Sequence, residues 1–503
     1  MAFSRQWISS FKSVFGFYRA PRRPAEDGGR MKTPRILWIL AFGLLGTSAF
    51  ARTWETPVMA TWTADPRTTV TLAWERREAG IGRVDCTDAE GLRVCGSTES
   101  APARRHVFTL RDLQPGTHYE YVASSADGYE ARGRFWTAPA DPEQPFTFVL
   151  HNDLQGGINV EAAKAVSAAV VRANPDFVLS TGDLADPRYA GDYAGAIGSW
   201  NLFFECLRDE LAAFVFQPVS GNHDEPENPD SFWHRLIELP DTHDYVLDVG
   251  PIRFLLLDST ENQGPSRTAW LARELQKAAF DPAVVWTIPA FHRPPFSEGE
   301  RGGDESLREA WVPLFTKYEA GLVLSGHAHG YQRMKPIDGV PYLVSGGGGG
   351  WLYQVDPNHP DVAFATSAYH FVEFHVAGKA IQIEAKAPDG TVFDRAAYAA
   401  HRFVRVAPAF PARGETCTVR YDPAGGPLAD AVQVTLHLGR DEFNDLLQDV
   451  PMERDAATGA WTASFPVPDS VKWHLAFCFF DPERGIWHNN HARNWQALVA
   501  REW

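Results

Sequence analysis

The sequence predicts an α/β segment held between two all-β segments, and three observations carry that prediction. Short apolar runs alternate with helical stretches between residues 146 and 400. The segments on either side hold strand and turn chemistry alone. Strand after strand of the central segment ends in Asp, Asn or His, the expected place for a site in an α/β sheet. With 503 residues the chain exceeds one ordinary core, so two to three domains are expected.

Residues 1–30 resemble no leader and read as an upstream extension ahead of Met31. Residues 31–51 read as a signal peptide: Lys32 and Arg35 are its positive start, Ile36 to Leu45 its apolar core, and Ala49-Phe50-Ala51 its small-x-small cleavage site. That apolar run is short for a bilayer span, so the expectation is a secreted or periplasmic protein with no membrane association after cleavage. In an oxidising compartment, Cys86 with Cys95 and Cys417 with Cys478 would form disulfides, leaving Cys206 free.

Residues 52–140 are strand-like throughout, from the alternating Thr69–Trp74 to the turn and aromatic strand of Leu113–Tyr121. The latter resembles the tyrosine corner of fibronectin type III-like sandwiches. Residues 141–145 form a linker. The α/β domain, 143–402, is expected to place strands at Phe146–Leu150, Phe177–Ser180, Val215–Ser220, Phe254–Leu257, Val284–Pro289 and Leu322–Ser325. Helices are expected at Val160–Ala173 and Arg267–Ala279. Residues 403–503 return to strand and turn chemistry and suit a second β-sandwich, with Pro466 and Pro468 at its edges.

Charge removes one class of function. Asp plus Glu number 63 against 47 Lys plus Arg, a net of −16. The first 51 residues hold eight basic and two acidic side chains, leaving 39 basic against 61 acidic, or −22. A surface that acidic is a poor partner for nucleic acid.

The chemistry concentrates after the apolar run Gly321–Leu324, where Gly326-His327-Ala328-His329 carries two imidazoles two residues apart. At a strand end both can turn to one point, and neutral imidazole is the commonest protein ligand for transition metals. Asp153, Gly182-Asp183, Gly221-Asn222-His223-Asp224 and His292 finish four other strands. Any one of these could be a helix cap or a polar turn. Five together point to a metal site.

This ordered set resembles that of calcineurin-like metallophosphoesterases, in their purple acid phosphatase flavour. His329-Gly330-Tyr331-Gln332-Arg333 resembles that group's Tyr-Glu-Arg tail. The resemblance spans roughly residues 52–400 and implies a four-layer αββα sandwich, here flanked by the two all-β sandwiches read from strand and turn chemistry. It also implies a hydrolase of phosphate mono- or diesters with two divalent or trivalent ions of iron, manganese or zinc, which the signal peptide would make an exported one. By resemblance, Asp183 bridges; Asp153, with Gln155 beside it, and His329 join it on one ion, and Asn222, His292 and His327 on the other. His223 is then the acid for the leaving group, oriented by Asp224, while Asn222, Arg293 and Arg333 face the substrate.

Two residues depart from the pattern. Gln155 stands where many metallophosphoesterases have His and would be a weaker, neutral ligand. Asp186 stands where purple acid phosphatases have an iron-binding tyrosine, and reads as a surface or capping residue. The glycine run Gly346–Gly350 either lets backbone approach a substrate or is a permissive turn. Near the C-terminus, Gly485–Asn490 through Asn494-Trp495 resembles a starch-type carbohydrate-binding module, with Trp487 and His437 as candidate contacts to a polysaccharide. The alternative is that Trp461, Trp487 and Trp495 are core. A rival for the whole chain is therefore a carbohydrate-binding or surface-interaction protein with a degenerate phosphatase domain.

Overall fold

The computed structural model describes residues 55–155, 159–187, 193–225, 231–241, 243–260, 263–441, 443 and 445–500. The expected extension at 1–30 and signal peptide at 31–51 lie outside them. Among the described residues no helix is long and apolar enough to cross a membrane.

Two large sheets carry the central segment. In the first, of nine strands, Val392–Ala399, Ala380–Lys386, Phe371–Ala377, Phe146–Leu150, Phe177–Ser180 and Val215–Pro218 lie in that order. The sheet then continues through Met59–Thr61, Val70–Gly80 and Ala103–Leu110 of the N-terminal segment, with Ala60 paired in parallel to Val215. The second sheet has seven strands: Tyr245–Val249, Ile252–Leu257, Trp286–Phe291, Val323–Ser325, Tyr342–Ser345, Tyr331–Met334 and Val362–Thr366.

Alternation along each strand decides what packs where. Phe148 and Leu150 join Phe254, Leu256, Ile288 and Phe374 in one buried cluster, with Phe148 stacked on Phe374 at 4.4 Å and edge-on to Phe254 at 5.5 Å. Val149 and Val178 point the other way, into a cluster with Ala163, Val166 and Val170 of the helix Val160–Ala173. On the second sheet Leu255 and Leu257 meet Leu271, Leu275 and Ala279 of the helix Pro265–Phe280. Each such Val, Leu, Ile or Phe side chain, fully buried, stabilises by roughly 1.5–3 kcal/mol. The first helix starts on Asn159, whose side chain accepts from Ala162 N, and stops on Asn174 in the left-handed conformation. The second starts with a proline in its first turn.

The strands Phe146–Leu150 and Phe177–Ser180 and the helix Val160–Ala173 have the expected bounds. The expected strand ending at Pro289 instead runs Trp286–Phe291. A proline is tolerated there because the ladder to Val323–Ser325 registers only at Ala290↔Leu324.

In the N-terminal segment Tyr119 Oη accepts from Gln114 N at 2.8 Å, the bond its turn sequence called for. Cys86 and Cys95 form a disulfide across neighbouring strands. The second expected disulfide is absent: Cys417 and Cys478 are both free and buried. Cys417 faces the core with Phe477 and Phe479, and strand alternation turns Cys478, between those two, out of that cluster. Trp461 and Trp495 are core residues here, whereas Trp487 is 45% exposed.

Candidate metal centre

Five loops leave the carboxyl ends of parallel strands and converge. They follow Leu150, Ser180, Pro218, Phe291 and Ser325 and deliver Asp153, Asp183, Asn222, His292 and the pair His327 and His329. Three of these residues sit at positive φ: Asp153 at 60°, Asp183 at 54° and His327 at 69°. Such backbone is sparsely populated by residues other than glycine and persists where the surroundings hold it. Two glycines make the convergence possible. A Cβ on Gly182 (φ +100°) would lie 2.3 Å from Gly221 N, and one on Gly326 would lie 2.4 Å from Asp153 Oδ2. Side chains at either position would force the ligand loops apart.

Two sets of ligand atoms result, each within 4.8 Å of one another: Asp183, His292 and His327, and Asp153, Asp183 and His329. Asp183 belongs to both. Its Oδ2 lies 3.2 Å from His292 Nε2, and its Oδ1 accepts from His223 N at 2.8 Å. His327 N donates to Asp153 Oδ1 at 2.9 Å, and His329 Nε2 lies 3.5 Å from that oxygen.

The donor set fits a cation. His292 Nδ1 faces the Thr181 carbonyl at 3.0 Å, so in the neutral ring the proton sits there and Nε2 carries the lone pair. Nε2 lies against Asp183 Oδ2, Asn222 Oδ1 (3.2 Å) and His327 Nδ1 (3.1 Å), a cluster of acceptor atoms that a shared cation would satisfy. His329 Nδ1 likewise faces the Trp351 carbonyl at 2.7 Å, turning Nε2 inward. Electrostatics agree. Burial opposes charge on His292, yet Asp183 beside it lifts the ring to about 9. Burial first and the charge of His292 second push His327 down to about 2, and burial pushes His329 down to about 4. Burial raises Asp153 to about 7; burial is also the largest single effect on Asp183, but His292 and His223 together outweigh it and hold the carboxyl well below its usual range. Asn152 Oδ1 and Thr181 Oγ1, both buried here, have no hydrogen-bond partner.

Three expectations change. Gln155 is at the site, but its amide nitrogen faces His329 Nε2 at 3.0 Å and Asp183 Oδ2 at 3.3 Å. The amide nitrogen, not the oxygen, is the group turned toward these two ligand atoms. Asp224 does not reach the His223 ring, because backbone groups take its carboxylate: Leu184 N and Ala185 N on Oδ1, Gly221 N on Oδ2. It ties the Asp183 loop to the Asn222 loop, and burial raises its carboxyl to about 8. Asp186 is the carboxylate on His223, with Oδ2 2.7 Å from Nδ1, and it is buried, not a surface residue. His223 Nε2 lies 3.7 Å from Asp183 Oδ2.

Arg333 is a fourth correction. Its guanidinium clasps Asp394 with bonds of 2.7 and 2.9 Å, and Tyr331 Oη donates to the same carboxylate. The alternation of its strand sends it away from the centre, and its charge is spent on structure. Arg293 follows His292 directly and keeps a buried Nε without a hydrogen-bond partner, with Asp304 only at 3.9 Å. Residues that sequence reasoning missed are Tyr353, whose ring lies parallel to that of His329 at 4.3 Å, and Arg301, whose guanidinium lies over Tyr353 at 5.3 Å. Neither follows a strand end, the one signal that found the others. Far from this centre, the His437 ring lies edge-on to exposed Trp487 at 5.1 Å.

Residues 146–331 match the calcineurin-like phosphoesterase family. Among curated proteins the chain is similar to one from Mycobacterium tuberculosis, 25% identical over 366 residues, covering 64% of this chain and 66% of that protein. It is also similar to human acid phosphatase type 7, 28% identical over 257 residues, covering 46% and 57%. The chain thus spans less than two thirds of either relative's length. Among solved structures its fold is similar to a purple acid phosphatase from yellow lupin (Lupinus luteus) seeds, with a TM-score of 0.58, 18% identity and coverage of 69% and 74%. A second likeness is to PhoD, with a TM-score of 0.53, 12% identity and coverage of 69% and 90%. The family match is thus to the central segment, and the likeness to a purple acid phosphatase is one of fold.

Proposed function

We propose that this chain is a dinuclear metal-dependent phosphoesterase that hydrolyses phosphate mono- or diesters. The observation that carries the reading is the sharing of one carboxylate, Asp183, by two sets of ligand atoms, on buried residues except half-buried His327. Asp153, Asp183 and His329 would hold one ion, and Asp183, Asn222, His292 and His327 the other. Bound there, such ions supply an activated water and neutralise the phosphoryl oxygens. The chain's own residues do the rest. Asn222 and Arg293 orient the phosphoryl group, and His223 delivers a proton to the leaving oxygen. Asp186, on Nδ1, holds the ring so that Nε2 faces the substrate. Asp224 keeps the two ligand loops in register.

The two sheets, with helices on their outer faces, fit a four-layer αββα arrangement, and the strands of 52–140 and 403–503 fit a fibronectin type III-like sandwich and a C-terminal sandwich. The Cys86–Cys95 disulfide is consistent with export to the periplasm or beyond. A second reading adds weak polysaccharide binding by residues 403–503, favoured by exposed Trp487 stacked on Phe480 at 4.4 Å beside His437. The deciding experiment is hydrolysis of aryl phosphate, aryl phosphodiester, nucleotides and phytate by metal-analysed protein, with retention on insoluble starch measured in parallel. Hydrolysis supports the enzyme; starch retention without any hydrolysis sinks it in favour of a degenerate phosphatase domain.

A further inference from the structure

The loop after His292 is built against the loop that follows the glycine run. Gln332 anchors it from below, its Oε1 accepting from Glu298 N at 2.7 Å and its Nε2 donating to Ser297 Oγ at 2.9 Å. Ser297 Oγ in turn donates to the Arg301 carbonyl at 2.8 Å. The two loops then pair like strands at Gly299↔Val355, with Glu300 N donating to the Gln354 carbonyl at 2.8 Å. The partner loop is itself fixed to a metal-ligand residue: Tyr353 N donates to the His329 carbonyl, and the Trp351 carbonyl faces His329 Nδ1. A contact chain therefore runs from His329 through the Tyr353 ring to the Arg301 guanidinium.

Arg301 is exposed, and among the described residues no carboxylate lies within ion-pair distance of it. A cation–π contact at an exposed site is weak, but it keeps the guanidinium beside the Tyr353 ring with N–H groups left for a ligand.

We propose that Arg301 is a substrate-positioning residue that grips the phosphoryl group from the rim beside His329 and biases the site toward phosphomonoesters over diesters. The inference rests on the phosphoesterase reading. A monoester near neutral pH carries close to two negative charges and a diester one, so a fixed cation adds more to the first. A guanidinium also matches phosphate oxygens in pairs, which a diester's second ester group blocks.

The test compares wild type with Arg301→Met and Arg301→Lys, all metal-loaded. It reads kcat and KM on an aryl phosphate and a bis-aryl phosphate, together with inorganic phosphate affinity by calorimetry. Arg301→Met should weaken inorganic phosphate about 10–100-fold, the range for a hydrogen bond to a charged group, and raise KM for the monoester similarly. The diester should change far less, and lysine should restore part of the loss because it keeps the charge without the fork. Unchanged phosphate affinity, or equal losses on both esters, would overturn the assignment. The two failures separate: a wild type that hydrolyses neither ester sinks the phosphoesterase reading, whereas an active wild type matched by Arg301→Met sinks this one.

Discussion

Removing the His223 imidazole tests the proton-delivery role. The ring stands with Nδ1 2.7 Å from Asp186 and Nε2 3.7 Å from Asp183, beside the ligands but in neither ligand set. His223→Ala should therefore keep both metals and lower kcat on alkyl phosphates by about 10²–10⁴, the range of general acid catalysis. An aryl phosphate with an activated leaving group needs little protonation and should lose much less. Asp186→Asn keeps the shape and removes the charge. A hydrogen bond to a charged partner is worth about 1.5–3 kcal/mol, so the expected loss is roughly 10–100-fold. Because Asp186 acts through His223, the double variant should be no slower than His223→Ala alone. Steady-state kinetics on the two ester types, with metal content measured on each variant, reads all three. Equal losses on both leaving groups, or additive losses in the double variant, would refute the reasoning.

Arg333→Ala should destabilise by about 2–3 kcal/mol, because it strands the Asp394 carboxylate and its Tyr331 bond, while leaving KM unchanged; a raised KM in a folded variant would return Arg333 to the substrate. Burial pushes His370 down to about 4, so the unfolded chain takes up a proton near 6.5 before the fold does, and stability is lost as pH falls from 6.5 toward 4. That is about 2 kcal/mol by pH 5, read as a urea midpoint that falls less in His370→Asn than in wild type; parallel shifts would contradict it. Iron-loaded protein should lack an intense visible band, since Asp186 replaces the phenolate and Tyr331 is held by Asp394; such a band would overturn this.

The parts of the fold that were legible are those governed by local periodicity. Phe146–Leu150, Phe177–Ser180 and Val160–Ala173 have bounds set by apolar alternation and by Asn caps, all visible in sequence. The strand-end rule likewise found the residues that converge at the centre. Partnerships were not legible, because they depend on which way a side chain leaves its strand. Asp186 rather than Asp224 meets His223, Arg333 turns away to Asp394, and Cys417 and Cys478 point out of each other's reach. The continuation of the central sheet into Met59–Thr61 was hidden for the same reason, since pairing Ala60 with Val215 spans distant chain. Arg301 and Tyr353 come together through loop-to-loop pairing at Gly299↔Val355, which no motif announces.

Metal content tests the central claim most directly. Two cations share the Asp183 carboxylate in this account, and a unit charge pair near 4 Å is worth about 4 kcal/mol in a partly screened site. Asp183→Asn should then weaken each ion by about 10³-fold or more, enough to empty both positions on dialysis. Elemental analysis should find about two ions per chain in wild type and close to none in Asp183→Asn, with hydrolysis lost in step. An active wild type with a single ion, or an Asp183→Asn variant that keeps both, would contradict it.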